Sequence, residues 1–467
     1  MTIAKEFAEV HFLESLLGHG ASKGSKDLQG NARRTLKQTE DVYRPTKVDE
    51  RDVGTRDSWL MRHPVQIRSS GVPLNSETPL ALLLDAGFIT PTNLHFVRNA
   101  GPVPKLDART HTLTVAGNVK QAKTFTMDQI AKMPAQTLPV TLVCAGNRRK
   151  EMNMLKQTTG SNWGPGAVST NLWTGVPLRV FLNKCGITEA TAEAQHVCFR
   201  GPERELSHSE RYDSGGDGTY GTSIPMCMAL DPAADVIIAY KANHEDLLPD
   251  HGYPLRVIIP GWVESRSVKW LTEITISDKP TDNFHHYHDH AMLPPEVATL
   301  EAADKGEWWY KPEYAFNAVN INSAMANPQH NSIVRATEDH AVQTVPVNGY
   351  AYAGGGNRLH RMEISLDDGL TWKFAEIKRS EVPTAHYKNW CWVNWEVVLT
   401  VKQLLDSPSG RIQCRAWDEA NNTQPLEIAW NLLGLGHNSV YTINIHKYEM
   451  GEMVCLLFEH PVVPGDQ

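Results

Sequence analysis

Residues 142–153 read LVCAGNRRKEMN and set one thiol beside three cations. Cys144 closes an apolar run, and Arg148, Arg149 and Lys150 follow directly after a short turn. A thiolate is both a nucleophile and a soft-metal ligand, and neighbouring cations stabilise it by lowering the thiol pKa. From these residues alone three readings stay open: a metal ligand, a nucleophile that needs a histidine base, or an inert buried cysteine.

Other cations sit in apolar surroundings. Arg98 follows a β-prone run in LHFVRNAGPVP, and His251, Arg256, Arg266 and Lys269 are strung through DHGYPLRVIIPGWVESRSVKWL. Cations embedded in such sequence need a partner. A phosphate or small oxyanion is one, since arginine offers it a bidentate fork; a buried Asp or Glu is the other. DNFHHYHDH, residues 282–290, gathers His285, His286, His288, Asp289 and His290. Its spacing matches no standard zinc pattern, and it reads as a solvated histidine-rich loop. Gly354-Gly355-Gly356 has no lysine after it and reads as a turn between strands.

The elements that must carry these groups are visible in outline. LPVTLVCAG is β-prone and halts at glycine, which places Cys144 at a strand end. PLRVFLNKCGI has helical apolar spacing, and ADVIIAYKAN and YPLRVIIPGW read as buried strands. From about residue 313 the pattern turns to alternation. CWVNWEVVLTV sets Cys391, Val393, Trp395, Val397, Leu399 and Val401 on one face, and HRMEISLDDGLTWKF predicts a hairpin about Asp367-Asp368-Gly369. Eight tryptophans from Trp308 onward suit the thick core of a β-sandwich. No GxGxxG follows a first strand and no GxxxxGK[ST] occurs, so nucleotide-binding readings have no motif behind them.

The whole chain narrows the partners. Its 467 residues carry a formal net charge of -8, so no nucleic-acid partner is expected and an anion must be held by a local cluster. No apolar run of about 18 residues occurs, so no membrane partner is expected. The seven cysteines are widely spaced without a CxxC pair, which suits a reducing, cytoplasmic setting. Residues 1–45 are polar and glycine-rich and read as a partly disordered tail, with a short amphipathic helix over Ala8 to Leu17.

CAGNRRKEMN, followed by NWGPGAVSTNLWTGVPL, resembles the molybdopterin-binding signature of the sulfite oxidase and eukaryotic assimilatory nitrate reductase family. The resemblance runs in order through FITPTNLHFVRN, YGTSIPM, DHGYPLRVIIPGW, VKWL, NINSA, GYAYAGGG, RAWDEANNTQP and WNLLG, over residues 50–460. It implies an α+β chain. A mixed α/β molybdopterin-binding (sulfite oxidase-like) domain over 46–312 precedes an immunoglobulin-like β-sandwich for dimerisation over 313–460, and 461–467 begin a hinge. It implies that Cys144 ligates molybdenum together with the dithiolene of molybdopterin. It gives Arg98 and Arg149 to the substrate anion and Trp163 to the pocket wall, and it gives Arg98, Asn99, His251, Arg256 and Lys269 to the cofactor, the last three to its phosphate.

Within the family, sulfite oxidases carry an arginine after WNL and nitrate reductases usually a methionine; this chain has Leu433. DAGFITP, YGTSIP, NINSA and WDEANNTQP also resemble the nitrate reductases. The implied activity is reduction of nitrate to nitrite by oxygen-atom transfer to reduced molybdenum in a homodimer joined through the sandwich. Electrons come from a separate haem domain, and haem and FAD belong to domains outside this chain. The alternatives are oxidation of sulfite to sulfate, or a non-enzymatic scaffold built on the sandwich. Three positions depart from the family pattern: Ala100 for the histidine of VRNH, His290 where a tyrosine or asparagine is usual, and Leu433.

Overall fold

A computed structural model describes residues 36–71, 73–188, 195–202, 219–451 and 453–461. The expected helix over Ala8 to Leu17 and hinge residues 462–467 lie outside them. Residues 36–42, inside the expected tail, are helical, and the buried Glu40 accepts hydrogen bonds from the backbone of Thr92 and the amide of Asn243.

LPVTLVCAG forms β1 (Gln136–Val143), and Cys144 is the next residue. After α1 (Arg149–Leu155) the chain returns as β2 (Val168–Pro177), antiparallel to β1 along its whole length. β2 pairs with β3 (Ile237–Ala242), the strand anticipated in ADVIIAYKAN. Both faces of β3 are covered. Ile238 joins one apolar cluster, while Ile237 and Ala239 join another with Leu138, Val140 and Leu142 of β1. YPLRVIIPGW yields only the short strand Arg256–Ile258, because Pro254 and Pro260, which lack N–H donors, bracket it. A second five-stranded sheet packs with helix Leu178–Lys184, which ends before Gly186 at φ +85°.

DNFHHYHDH is not the solvated loop expected: it opens on α2 (Phe284–Tyr287), and His285, His286 and His290 are buried. His286 Nδ1 accepts from Arg266, and its ring lies T-shaped against Tyr287. The sequence pattern missed this because local polarity does not report tertiary partners.

Beyond residue 313 the antiparallel signals hold. β4 (Thr344–Tyr352), β5 (Leu359–Ser365), β6 (Val393–Thr400) and β7 (Arg411–Asp418) belong to one nine-stranded sheet that curls on itself into a sandwich. The predicted hairpin pairs Met362 of β5 with Ala375, its turn carried by Asp368 and Gly369 at positive φ. Val393, Trp395 and Leu399 of β6 face the core, while Val401 starts a helix capped by Thr400. The glycine triplet is the turn between β4 and β5, with Gly355 and Gly356 in the left-handed region. No described helix is long and apolar enough to cross a membrane.

The two halves are sewn together at β1. Thr141 donates its backbone N–H to Trp390 O, its hydroxyl accepts from Trp392 N, and the Trp392 indole donates to Phe88 O. Val143, Val168 and Leu172 join the same apolar core as Tyr350, Trp392 and Trp395.

Candidate functional site

The strand end at Cys144 becomes a site because the chain turns sharply there. Cys144 N donates to Ala167 O across the sheet, and its carbonyl accepts from Asn147 N, closing the turn into α1. Arg148, at φ 67°, then starts the helix. This arginine points away from the thiol. It is fully buried, ion-paired with Glu151 at 2.6 Å, and donates to Asn322 and Ser439 O of the sandwich half. Of the three cations after Cys144, only Arg149 lines the cavity beside the thiol.

Three glycines make room for Arg149. A Cβ on Gly146 would sit 2.6 Å from its Nη2, one on Gly434 would sit 2.6 Å from its Cγ, and one on Gly160 would collide with the guanidinium. Arg149 donates to Gly434 O at 3.0 Å and to Ser161 O at 2.7 Å. The glycines of CAGN, TTGS and LLGL, distant in sequence, thus shape one arginine's seat.

The cavity has a volume of about 410 Å³. Cys144, Arg98, Asn99, Arg149 and Trp163 all line it, as do the three departures Ala100, His290 and Leu433. Asp289 holds Arg98 at 3.3 Å, and Tyr220 lies under the guanidinium at 5.7 Å. Burial pushes the Cys144 thiol pKa up, against the opposite pull of Arg149, the Gly146 N–H and Arg98. This corrects the expectation that cations alone would lower it: desolvation outweighs them in the bare protein.

The remaining predicted cofactor residues, His251, Arg256 and Lys269, do not line this cavity. Lys269, its pKa brought down to about 8 by burial, lines a hollow of about 30 Å³ that shares Arg98, Ala100 and Ser265 with the main cavity. Its ammonium donates to Arg98 O, Asn99 Oδ1 and Asp250 O. His251 lines a separate cavity of about 220 Å³, with the His95 ring tilted against it at 4.6 Å. Arg256 is fully buried and paired with Glu264 at 3.0 Å, so the buried-carboxylate reading holds for it.

Sequence reasoning missed Glu264, Ser265, His285 and Asp289 as parts of the cavity wall. The spacing of His285 and Asp289, one helical turn apart, was the available signal. Among the described residues no group of three His, Cys, Asp or Glu is arranged to hold a metal ion.

The donor set suits a metallated cofactor with an anionic arm. A soft sulfur stands on the wall of a cavity of ligand size, two guanidiniums face it, and the buried Ser265 hydroxyl on the same wall has no hydrogen-bond partner. Fold and cavity define a molybdopterin-binding oxidoreductase core. Comparison with known proteins agrees: residues 100–285 match the oxidoreductase molybdopterin binding domain, and 313–448 match the Mo-co oxidoreductase dimerisation domain. A nitrate reductase [NADH] of Volvox carteri is 46% identical over 416 residues, covering 89% of this chain and 47% of that protein. A nitrate reductase [NAD(P)H] of Hordeum vulgare is 45% identical over 430 residues, covering 91% and 47%. The sulfane dehydrogenase SoxCD of Paracoccus pantotrophus shares the fold at TM-score 0.61 and 22% identity, covering 87% of this chain and 89% of its own. The chain belongs to the sulfite oxidase family of molybdenum-dependent oxidoreductases and resembles the molybdenum region of its nitrate reductases. It spans about half the length of the curated relatives it matches.

Proposed function

We propose that this chain reduces nitrate to nitrite. The observation that carries the proposal is the convergence of Cys144, Arg98, Arg149 and Trp163 on one cavity whose Leu433 wall adds no third arginine. Two guanidiniums match a planar monoanion with delocalised charge. The same groups stand ready where charge shifts during oxygen transfer.

Molybdopterin, when bound, supplies a metal that takes up an oxygen atom and exchanges two electrons. Cys144 would hold it through sulfur. Arg98, Asn99, His251 and Lys269 would hold the cofactor around it, and Arg256, paired with Glu264, would position His251 through the bond it donates to that residue's carbonyl. Trp163, 2% exposed, walls the pocket and excludes water. Arg98 and Arg149 orient the anion. The sandwich half supports a homodimer, and a haem domain or separate haem protein supplies electrons. The seven free cysteines support a cytoplasmic setting.

The test is metal content paired with turnover on one preparation. About one molybdenum per chain and dye-driven nitrate reduction that outpaces sulfite oxidation are expected. The opposite ranking would replace nitrate with sulfite as the substrate.

A further inference from the structure

Nitrate reduction consumes protons as well as electrons. One N–O bond breaks, two electrons arrive from the reduced donor, and the released oxygen leaves as water after taking two protons. Most titratable groups on the described cavity wall are already committed to other partners or held in one state. Glu264 already receives Arg256 Nη2 at 3.0 Å, and Asp304 accepts the Trp309 indole N–H at 2.6 Å. His288 is stacked between Phe284 and Trp309, and burial lowers its pKa. His290 donates Nδ1–H to His285 O, and burial, reinforced by Arg266, keeps its ring neutral. Arginines do not give up protons in this range.

His285 is placed differently. It is buried on α2, lines the cavity, and donates Nδ1–H to Asp289 Oδ2 at 2.7 Å. Its ring stacks on Tyr220 at 4.8 Å. The charged or titratable groups around it are Asp289, Tyr220, His288, His290 and, through Asp289, Arg98. Asp289 Oδ2 accepts from two donors at once, His285 at 2.7 Å and Arg98 at 3.3 Å. An anion taken up by Arg98 competes with Asp289 for that guanidinium and leaves more of the carboxylate's charge to the imidazole.

We propose that the His285–Asp289 pair delivers the protons of nitrate reduction, with His285 as the donor and Asp289 as the residue that orients and charges it. His285 regains its proton from solvent between transfers. The pair rests on the nitrate reading, and it explains why the substrate arginine is tied to a carboxylate: arrival of the anion and proton affinity are coupled through one oxygen.

The test uses the holoenzyme with reduced methyl viologen as donor. His285→Gln is expected to lower kcat by about 100-fold or more, to leave the KM for nitrate within about threefold, and to abolish the alkaline limb of the kcat–pH profile. Asp289→Asn, which removes the carboxylate that orients the ring, is expected to alter that limb and to lower kcat less than His285→Gln does. Histidine-selective 15N NMR of the same proteins gives a second readout: one imidazole signal should vanish in His285→Gln and change its chemical shift in Asp289→Asn. An active parent matched in kcat and pH profile by His285→Gln overturns the pair alone. A molybdenum-loaded parent without nitrate turnover overturns the nitrate reading and the pair with it.

Discussion

Replacing Gly160 with alanine isolates the contribution of Arg149 to anion handling. Gly160 does not occupy the left-handed region, so its backbone accepts alanine without strain; the three atoms nearest the new methyl all belong to the Arg149 guanidinium, with Nε at 2.8 Å and the other two nearer. The end of a flexible side chain gives way before backbone does, so the arginine leaves its seat. It then surrenders its bonds to Gly434 O and Ser161 O, about 1 kcal/mol each. The larger loss falls on the substrate. A hydrogen bond to a charged group contributes about 1.5–3 kcal/mol, and about 1.4 kcal/mol is tenfold, so kcat/KM for nitrate should fall roughly tenfold to a hundredfold. The assay is viologen-driven nitrate kinetics with molybdenum content measured on the same sample. Gly71→Ala, where a Cβ meets nothing within 4 Å, is the control. A Gly160→Ala protein with full metal content and parental kinetics would refute the claim that this glycine seats a substrate-binding arginine.

Three further outcomes follow from the same geometry. Cys144→Ser exchanges a soft donor for a hard one and should leave the melting temperature within a few degrees while metal retention and turnover collapse; a molybdenum-loaded, active serine variant would remove Cys144 as the ligand. Leu433→Arg sets a third guanidinium in the cavity wall and should improve sulfite KM relative to nitrate KM, which steady-state kinetics on both anions will read. Glu381, half-buried and accepting backbone N–H groups from Trp390 and Cys391, has its pKa raised by desolvation from 4.5 to about 8. Because the folded value lies above the unfolded one, its contribution to stability is complete below pH 4.5 and is lost as pH rises through 8. The rise from 4.5 to about 8 bounds the loss at about 5 kcal/mol. Glu381→Gln should flatten that slope, and denaturation midpoints at pH 5, 7 and 9 measure it.

Much of this was legible in the sequence because it rests on local pattern. The strand before Cys144, the helix closed by Gly186, the alternation of β6 and the hairpin at Asp368 all follow from period and turn chemistry. The cavity residues Arg98, Arg149 and Trp163 came from motif order, and their convergence on Cys144 is tertiary. What stayed hidden depends on contacts across long separations. Nothing near LVCAGNRR distinguishes Arg148, aimed at Glu151 and the sandwich, from Arg149, aimed at the cavity. Nor does DNFHHYHDH declare that it is packed against Tyr220 and Trp309. The thiol pKa was misjudged for a related reason: charge is written in the sequence, and burial is not.

The carbonyl that anchors Arg149 belongs to Gly434, and Leu433 and Leu435 complete the cavity wall from the same stretch, far beyond the point where the molybdopterin half ends in sequence. The two halves therefore cannot be exchanged as independent modules. A chimera that borrows its sandwich from a sulfite-oxidising relative would import a different loop against the substrate, and with it a different aim for an arginine it never encoded.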